Sequence, residues 1–243
     1  MEAFPVAPEG QDRGLRHLPV DRRVSERHRH GGHLENAGSS AMSFRSAAYW
    51  EQRYLQGRNS GAGSYGRLAD FKAMIVNQIV ERYRIRNALD LGCGDGAQAS
   101  AFEIGAYIGV DVSSNAVQQC KKQLGARPNW QFFLANEREA WTGNYDMTLS
   151  LDVIYHLVED DLFERYMTDL FDCCSQICVI YSSNCVDAWK SKHVLHREFS
   201  TWVKNERPSW YLLERTQNPF PYSPSDPERT SFADFYVYGR EVE

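Results

Sequence analysis

The stretch Asn87-Ala-Leu-Asp-Leu-Gly-Cys-Gly-Asp-Gly-Ala97 constrains this chain more than any other. The apolar run ending at Leu91 reads as a buried strand, and the glycines at 92, 94 and 96, followed by a helix-forming run, read as a tight turn into a helix. Glycine lets backbone come close to a ligand, and a helix start offers free N–H groups to an anionic or oxygen-rich partner. Asp111 closes the next apolar run, Ala106-Tyr-Ile-Gly-Val-Asp111, nineteen positions after Gly92. A carboxylate at that spacing can accept from both hydroxyls of a ribose.

Asp90-Leu-Gly92-Cys-Gly94-Asp-Gly96 resembles the acidic-x-Gly-x-Gly-x-Gly signature of class I S-adenosylmethionine-dependent methyltransferases, with Asp111 in the place of their ribose-binding acid. The same glycines, read to Ala97, also fit the loose Gly-x-Gly-x-x-Gly/Ala fingerprint of nicotinamide-dependent Rossmann oxidoreductases. Asp90 separates the two readings. A pyrophosphate repels a neighbouring carboxylate, whereas the ammonium and sulfonium of S-adenosylmethionine are cations. The resemblance implies an α/β fold, a Rossmann-like doubly wound seven-stranded mostly parallel sheet with a C-terminal antiparallel strand pair. It also implies S-adenosyl-L-methionine as cofactor, held by Asp90, Gly92, Cys93, Gly94, Asp111, Val112 and Leu151. A non-catalytic protein that binds the same cofactor is the third reading.

A formal net charge of −5 without a basic cluster argues against nucleic acid, because phosphate contacts dominate that affinity. No apolar run approaches a membrane span and the N-terminus lacks a signal-peptide pattern, so a cytoplasmic protein with no membrane partner is expected. Cysteines 93, 120, 173, 174, 178 and 185 lack Cys-x-x-Cys spacing and read as reduced buried thiols, with no metal. The expected partner is a small-molecule acceptor, and nothing marks an oligomeric state.

Residues 1–41 stand apart: Pro5, Pro8 and Pro19, six Arg, six acidic residues, four of the seven His and few large hydrophobes. This composition predicts a disordered, dispensable leader, with Met42 an alternative start. His28, His30 and His33 read as a solvated tail rather than a metal site. Residues 42–86 form a second segment of N-terminal helices around a glycine-rich stretch, Asn59-Ser-Gly-Ala-Gly-Ser-Tyr-Gly-Arg67. That stretch is either a flexible connection or a lid over the cofactor's amino-acid end, with Arg67 pairing its carboxylate. Together with Tyr49-Trp-Glu-Gln-Arg-Tyr54 it resembles a subgroup of bacterial small-molecule methyltransferases. Phe71, Ile75, Ile79 and Val80 recur at helical spacing from Leu68 to Tyr83.

The core, 87–243, alternates strand and helix: strands near 87–91, 106–111, 130–134, 145–151 and 177–182, helices near 97–104, 114–124 and 159–171. A helix near 192–204 and aromatic-rich strands near 210–216 and 232–238 end the chain. Asn136, after the third strand, stands where relatives read the adenine amino group; the alternative is a strand-end turn. Trp141 covers the adenine or is core.

Residues past the fourth strand face the transferable methyl in this fold. A hydroxyl acceptor needs its proton removed, and His156 is the first candidate base, with a rate expected to rise near an ordinary imidazole pKa. Otherwise it is a histidine satisfied by local backbone. Asp152 would orient the acceptor or His156, and Tyr155 would shape the pocket. His193, His196 and Arg197 fall on one expected helical turn, as an acceptor-binding cluster or a solvated face.

Overall fold

The computed structural model describes residues 44–240; the leader and its histidines lie outside the described residues. Helix α1 (Ser46–Leu55) and helix α2 (Gly66–Tyr83) precede the sheet. One face of α2 is apolar, and Leu68, Phe71, Ile75, Val76 and Ile79 are buried along it. The helix stops at Arg84, which takes a left-handed φ of 55°.

Seven strands follow: β1 (Asn87–Leu91), β2 (Ala106–Asp111), β3 (Trp130–Leu134), β4 (Tyr145–Leu151), β5 (Cys174–Ser182), β6 (Trp210–Thr216) and β7 (Asp234–Arg240). Their order in the sheet is β3-β2-β1-β4-β5-β7-β6. The first five pair in parallel, and β7 enters antiparallel to β5 with β6 antiparallel beside it. Helices α3 (Ser114–Leu124), α4 (Arg138–Trp141), α5 (Asp160–Asp172) and α6 (Phe199–Glu206) connect the strands. The sheet is a doubly wound Rossmann-like sheet with a C-terminal antiparallel pair. Central β1 is buried from Ala88 to Leu91, Asp90 included, and two apolar clusters cover the two faces of the sheet. From β1 the chain winds outward to β2 and β3, then returns to β4. The carboxyl ends of β1 and β4 therefore flank the switch point where ligands bind in open α/β sheets.

Two expected helices differ. Residues 97–104 make only a short 3-10 turn, Ala99–Ala101. Asn77 on α2 takes the backbone that a longer helix needs: its Nδ2 donates to the Ala101 carbonyl at 3.0 Å and its Oδ1 accepts from the Glu103 N–H at 2.9 Å. Burial of Phe102 and Ile104 then draws the chain straight into β2. The helix expected at 192–204 begins only at Phe199. Upstream, the His193 carbonyl and the Leu195 N–H are committed to the segment after β4. His193 consequently lies in a turn and His196 and Arg197 on irregular backbone, not on one helical turn.

Candidate active site

A cavity of about 550 Å³ opens at the switch point, with Gly92, Cys93, Gly94, Asp111, Val112, Leu151, Asp152 and His156 in its wall. The turn after β1 is built on positive φ at Gly92 (94°), Gly94 (59°) and Gly96 (79°), which side chains resist. The amides of Gly92 and Cys93 both donate to the Val110 carbonyl, so the turn is pinned to the end of β2. Asp111, at that end, accepts from the Gly94 N–H on one oxygen and the Ser113 N–H on the other, at 3.0 and 2.9 Å. Each oxygen keeps a lone pair for a further donor. Burial raises the Asp111 carboxyl to about 6, opposed by those amides.

Asp90 stands behind the turn, fully buried. Its Oδ2 accepts from the Tyr107 hydroxyl at 2.6 Å, its Oδ1 has no partner, and burial raises it to about 7. It does not line the cavity.

The glycine-rich segment is docked on this turn. Ser60 N donates to Asp95 Oδ2, Asp95 N donates to Ser60 Oγ, both at 3.0 Å, and the Tyr65 hydroxyl donates to the same carboxylate at 2.6 Å. Ser60 and Ser64 thereby join the cavity wall. Helix α1 is fastened across the site by Glu51, which accepts from the Ser114 hydroxyl and the Asn115 amide at the start of α3.

At the end of β4 the backbone is strained. Asp152 sits at φ 63°, a conformation that costs a non-glycine residue on the order of 1–3 kcal/mol unless its surroundings hold it. Three contacts hold it. Its N–H donates to the Tyr181 carbonyl at 2.9 Å, Oδ1 accepts from the Tyr155 hydroxyl at 2.7 Å, and Oδ2 pairs with the ammonium of Lys72. Lys72 is fully buried on α2, so removing either partner would strand a charge, at about 3–5 kcal/mol. With both oxygens engaged, Asp152 orients its neighbours.

His156 lies on a 3-10 turn, Ile154–His156, in the wall between this cavity and a smaller one of about 200 Å³. Aromatic rings dominate the smaller cavity: Tyr49, Trp50, Tyr155, His193 and Phe232. Nδ1 of His156 lies 2.9 Å from the His193 carbonyl, which can only accept, so Nδ1 carries the proton and Nε2 the lone pair. Burial lowers the imidazole to about 4.

Besides Asp90, four expected site residues lie elsewhere. Arg67 donates to the Arg229 carbonyl at 2.6 Å, faces Asp226 at 3.6 Å and covers the Phe220 ring; it lines a different cavity. Asn136 is exposed at the strand-end turn, and Ala135 lines the cavity in its place. His196 is buried with Nδ1 on Ser183 Oγ at 2.7 Å. Arg197 ties the Leu157 and Val158 carbonyls to Asp160. These last two brace the loop after β5. Conversely Lys72, Asp95, Ser60 and Arg53 were not singled out from the sequence.

Residues 88–176 match the family model described as a methyltransferase domain. That match covers 89 of the 243 residues, from β1 to the start of β5, and the likeness is to methyltransferases of the S-adenosylmethionine-dependent class. No curated protein matches it by sequence. Among solved structures, the N-methyltransferase NodS from Bradyrhizobium japonicum WM9, in complex with S-adenosyl-L-homocysteine, has a TM-score of 0.65 at 13% identity, over 82% of this chain and 100% of that one. Magnesium protoporphyrin IX methyltransferase (ChlM) from Synechocystis PCC 6803, with the same ligand, has a TM-score of 0.55 at 13% identity, over 81% and 100%. The methyltransferase domain of bacterial CtHen1-C has a TM-score of 0.52 at 18% identity, over 70% and 97%. These likenesses carry the fold.

S-adenosylmethionine is the methyl donor of this class. The cavity's donor set fits it: Asp111 offers spare lone pairs to ribose hydroxyls, and Val112 and Ala135 give apolar walls for a base. The raised pKa of Asp111 sets a pH dependence. Hydroxyl donation favours the ionised carboxylate, so affinity is full above about pH 6 and falls as pH drops through it, tending to about tenfold per unit. Calorimetric titration of S-adenosylhomocysteine between about pH 5 and 8 should show this, with Asp111→Asn weaker and flatter. A wild-type affinity independent of pH over that range would remove Asp111 from the contact.

Proposed function

We propose that this methyltransferase acts on the hydroxyl of a small, ring-bearing acceptor seated in the aromatic cavity, with His156 receiving the proton. The observation that carries the reading is the locked tautomer: the His193 carbonyl fixes the proton on Nδ1 and leaves the lone pair on Nε2, in a residue walling both cavities. The donor's sulfonium supplies an electrophilic methyl when bound. The chain's own residues do the rest. Trp50, Tyr155 and His193 hold the acceptor ring, and Asp152, fixed by Lys72 and Tyr155, sets the end of β4 against it. When the methyl moves from the donor's sulfur to the acceptor oxygen, breaking the sulfur–methyl bond and leaving S-adenosylhomocysteine, the hydroxyl proton would pass to Nε2. Gly92, Cys93, Gly94, Asp111, Val112 and Leu151 hold the donor, and Asp90 supports their turn from behind.

An imidazole lowered to about 4 is unprotonated at neutral pH but a weak base, which suits a phenolic or enolic hydroxyl better than an ordinary alcohol. Turnover of phenols, alcohols and primary amines, read as S-adenosylhomocysteine release, tests this. Phenols should lead. Turnover confined to amines would overturn the hydroxyl reading.

A further inference from the structure

A third cavity, of about 450 Å³, adjoins the aromatic one and belongs to neither donor nor ring. The two share Arg53, Gly61 and Ala62 as a common wall. Its lining brings together Arg53, Arg67 and Arg229. Two acidic residues are nearby: Glu228 also lines the cavity, and Asp226 meets Arg67 at 3.6 Å. Arg53 is held by one nitrogen alone, its Nε donating to the Asn59 carbonyl at 2.7 Å, with the guanidinium set over the Trp50 ring. Its two terminal nitrogens have no protein partner among the described residues, and the side chain of Arg229 has none either. Arg67, its Nε on the Arg229 carbonyl, is fixed in place.

A planar guanidinium with its terminal N–H groups uncommitted, beside a second one, matches the fork of a carboxylate or phosphate. Arg53, set over the Trp50 ring, lines both the aromatic cavity and the third one but not the cavity at the switch point, so that fork stands where the two smaller cavities meet. The opening turn of α2, which lines the same cavity and lacks a side-chain cap, adds to the positive field without being needed for it. From these observations we infer that the acceptor carries an anionic group, carboxylate or phosphate, which Arg53 and Arg229 bind in this third cavity while its ring lies against Trp50. The inference rests on the acceptor reading given above and names the acceptor's class: a hydroxylated ring with an anionic substituent.

Three probes share one ring: para-hydroxyphenylethanol, its phosphate ester, and para-hydroxyphenylpropionate. Each is titrated calorimetrically into the full chain saturated with S-adenosylhomocysteine. Charge-assisted hydrogen bonds predict that at least one anion binds roughly tenfold tighter than the neutral alcohol, or more. Added salt should shrink the preference, and the better anion identifies the natural group as phosphate or carboxylate. Arg53→Gln combined with Arg229→Gln should abolish the preference while leaving the melting temperature and S-adenosylhomocysteine affinity unchanged. Equal binding of all three probes, no anion binding, or a preference surviving in the double variant overturns the inference. If wild type fails to bind S-adenosylhomocysteine, the donor reading falls, and the same titrations without it still decide the anion site.

Discussion

His156→Ala is expected to lower kcat by roughly 10²–10⁴, the scale of general-base catalysis, while the affinity for S-adenosylhomocysteine stays near that of wild type. The imidazole walls the donor cavity but makes no polar contact with the glycine turn or with Asp111, so its loss removes proton acceptance rather than cofactor binding. The pH profile is displaced from the ordinary histidine window. With burial holding the group at about 4, wild-type activity should be flat, as far as this residue is concerned, from about pH 5.5 to 9. Any rise there then belongs to the acceptor's own hydroxyl. The same shift has a stability sign. The unfolded chain binds a proton below about 6.5 and the native one does not until about 4, so this contribution to stability is complete above 6.5 and lost as pH falls toward 4. Single-turnover methyl transfer across pH distinguishes the roles: a variant within about threefold of wild type, with the same profile, would leave positioning by Asp152 as the better account.

The sheet was readable because its information is local. Alternation, apolar runs and the glycine turn placed all seven strands within a few residues; the antiparallel ending came from the methyltransferase resemblance, with Ser231-Phe-Ala-Asp-Phe-Tyr-Val-Tyr238 alternating as a strand should. The misplaced helices were decided by side chains far away in sequence. Asn77 takes the carbonyl and amide that a helix to residue 104 would have used, and the turn after β4 takes those of His193 and Leu195. The cavity at the switch point was largely legible, since Gly92, Cys93, Gly94, Asp111, Val112 and Leu151 all line it. Arg67 was misdirected because a cation on the first turn of α2 has two sides to face. Lys72 did leave a signal: it interrupts the apolar stripe of Leu68, Phe71, Ile75 and Val76, where a charge has to be buried with a partner. That partner, Asp152, lies 80 positions away and takes the left-handed conformation, which no local pattern announces.

Gly94→Val should abolish measurable S-adenosylhomocysteine binding. Two effects act together at this position. Gly94 has φ +59°, where a β-branched residue is a genuine outlier, so valine would twist the turn whose amide donates to Asp111. A Cβ built there would also stand 2.4 Å from Ser60 Oγ and 3.1 Å from the Tyr54 hydroxyl. Neither neighbour can retreat freely: Ser60 is held by Asp95, and Tyr54 is buried with its hydroxyl on Ser60 at 2.8 Å. Valine therefore unseats the segment from Asn59 to Tyr65 from the cavity mouth as well as distorting the turn. The second effect can be isolated. Gly94→Ala should weaken binding less, and adding Ser60→Gly to it should recover part of the loss, because the clash is relieved while the backbone strain remains. Calorimetry on the three variants, with melting temperatures to confirm folding, reads the result. Wild-type affinity in a folded Gly94→Val protein would show that this turn is not where the donor sits, and no rescue by Ser60→Gly would assign the loss to backbone strain alone.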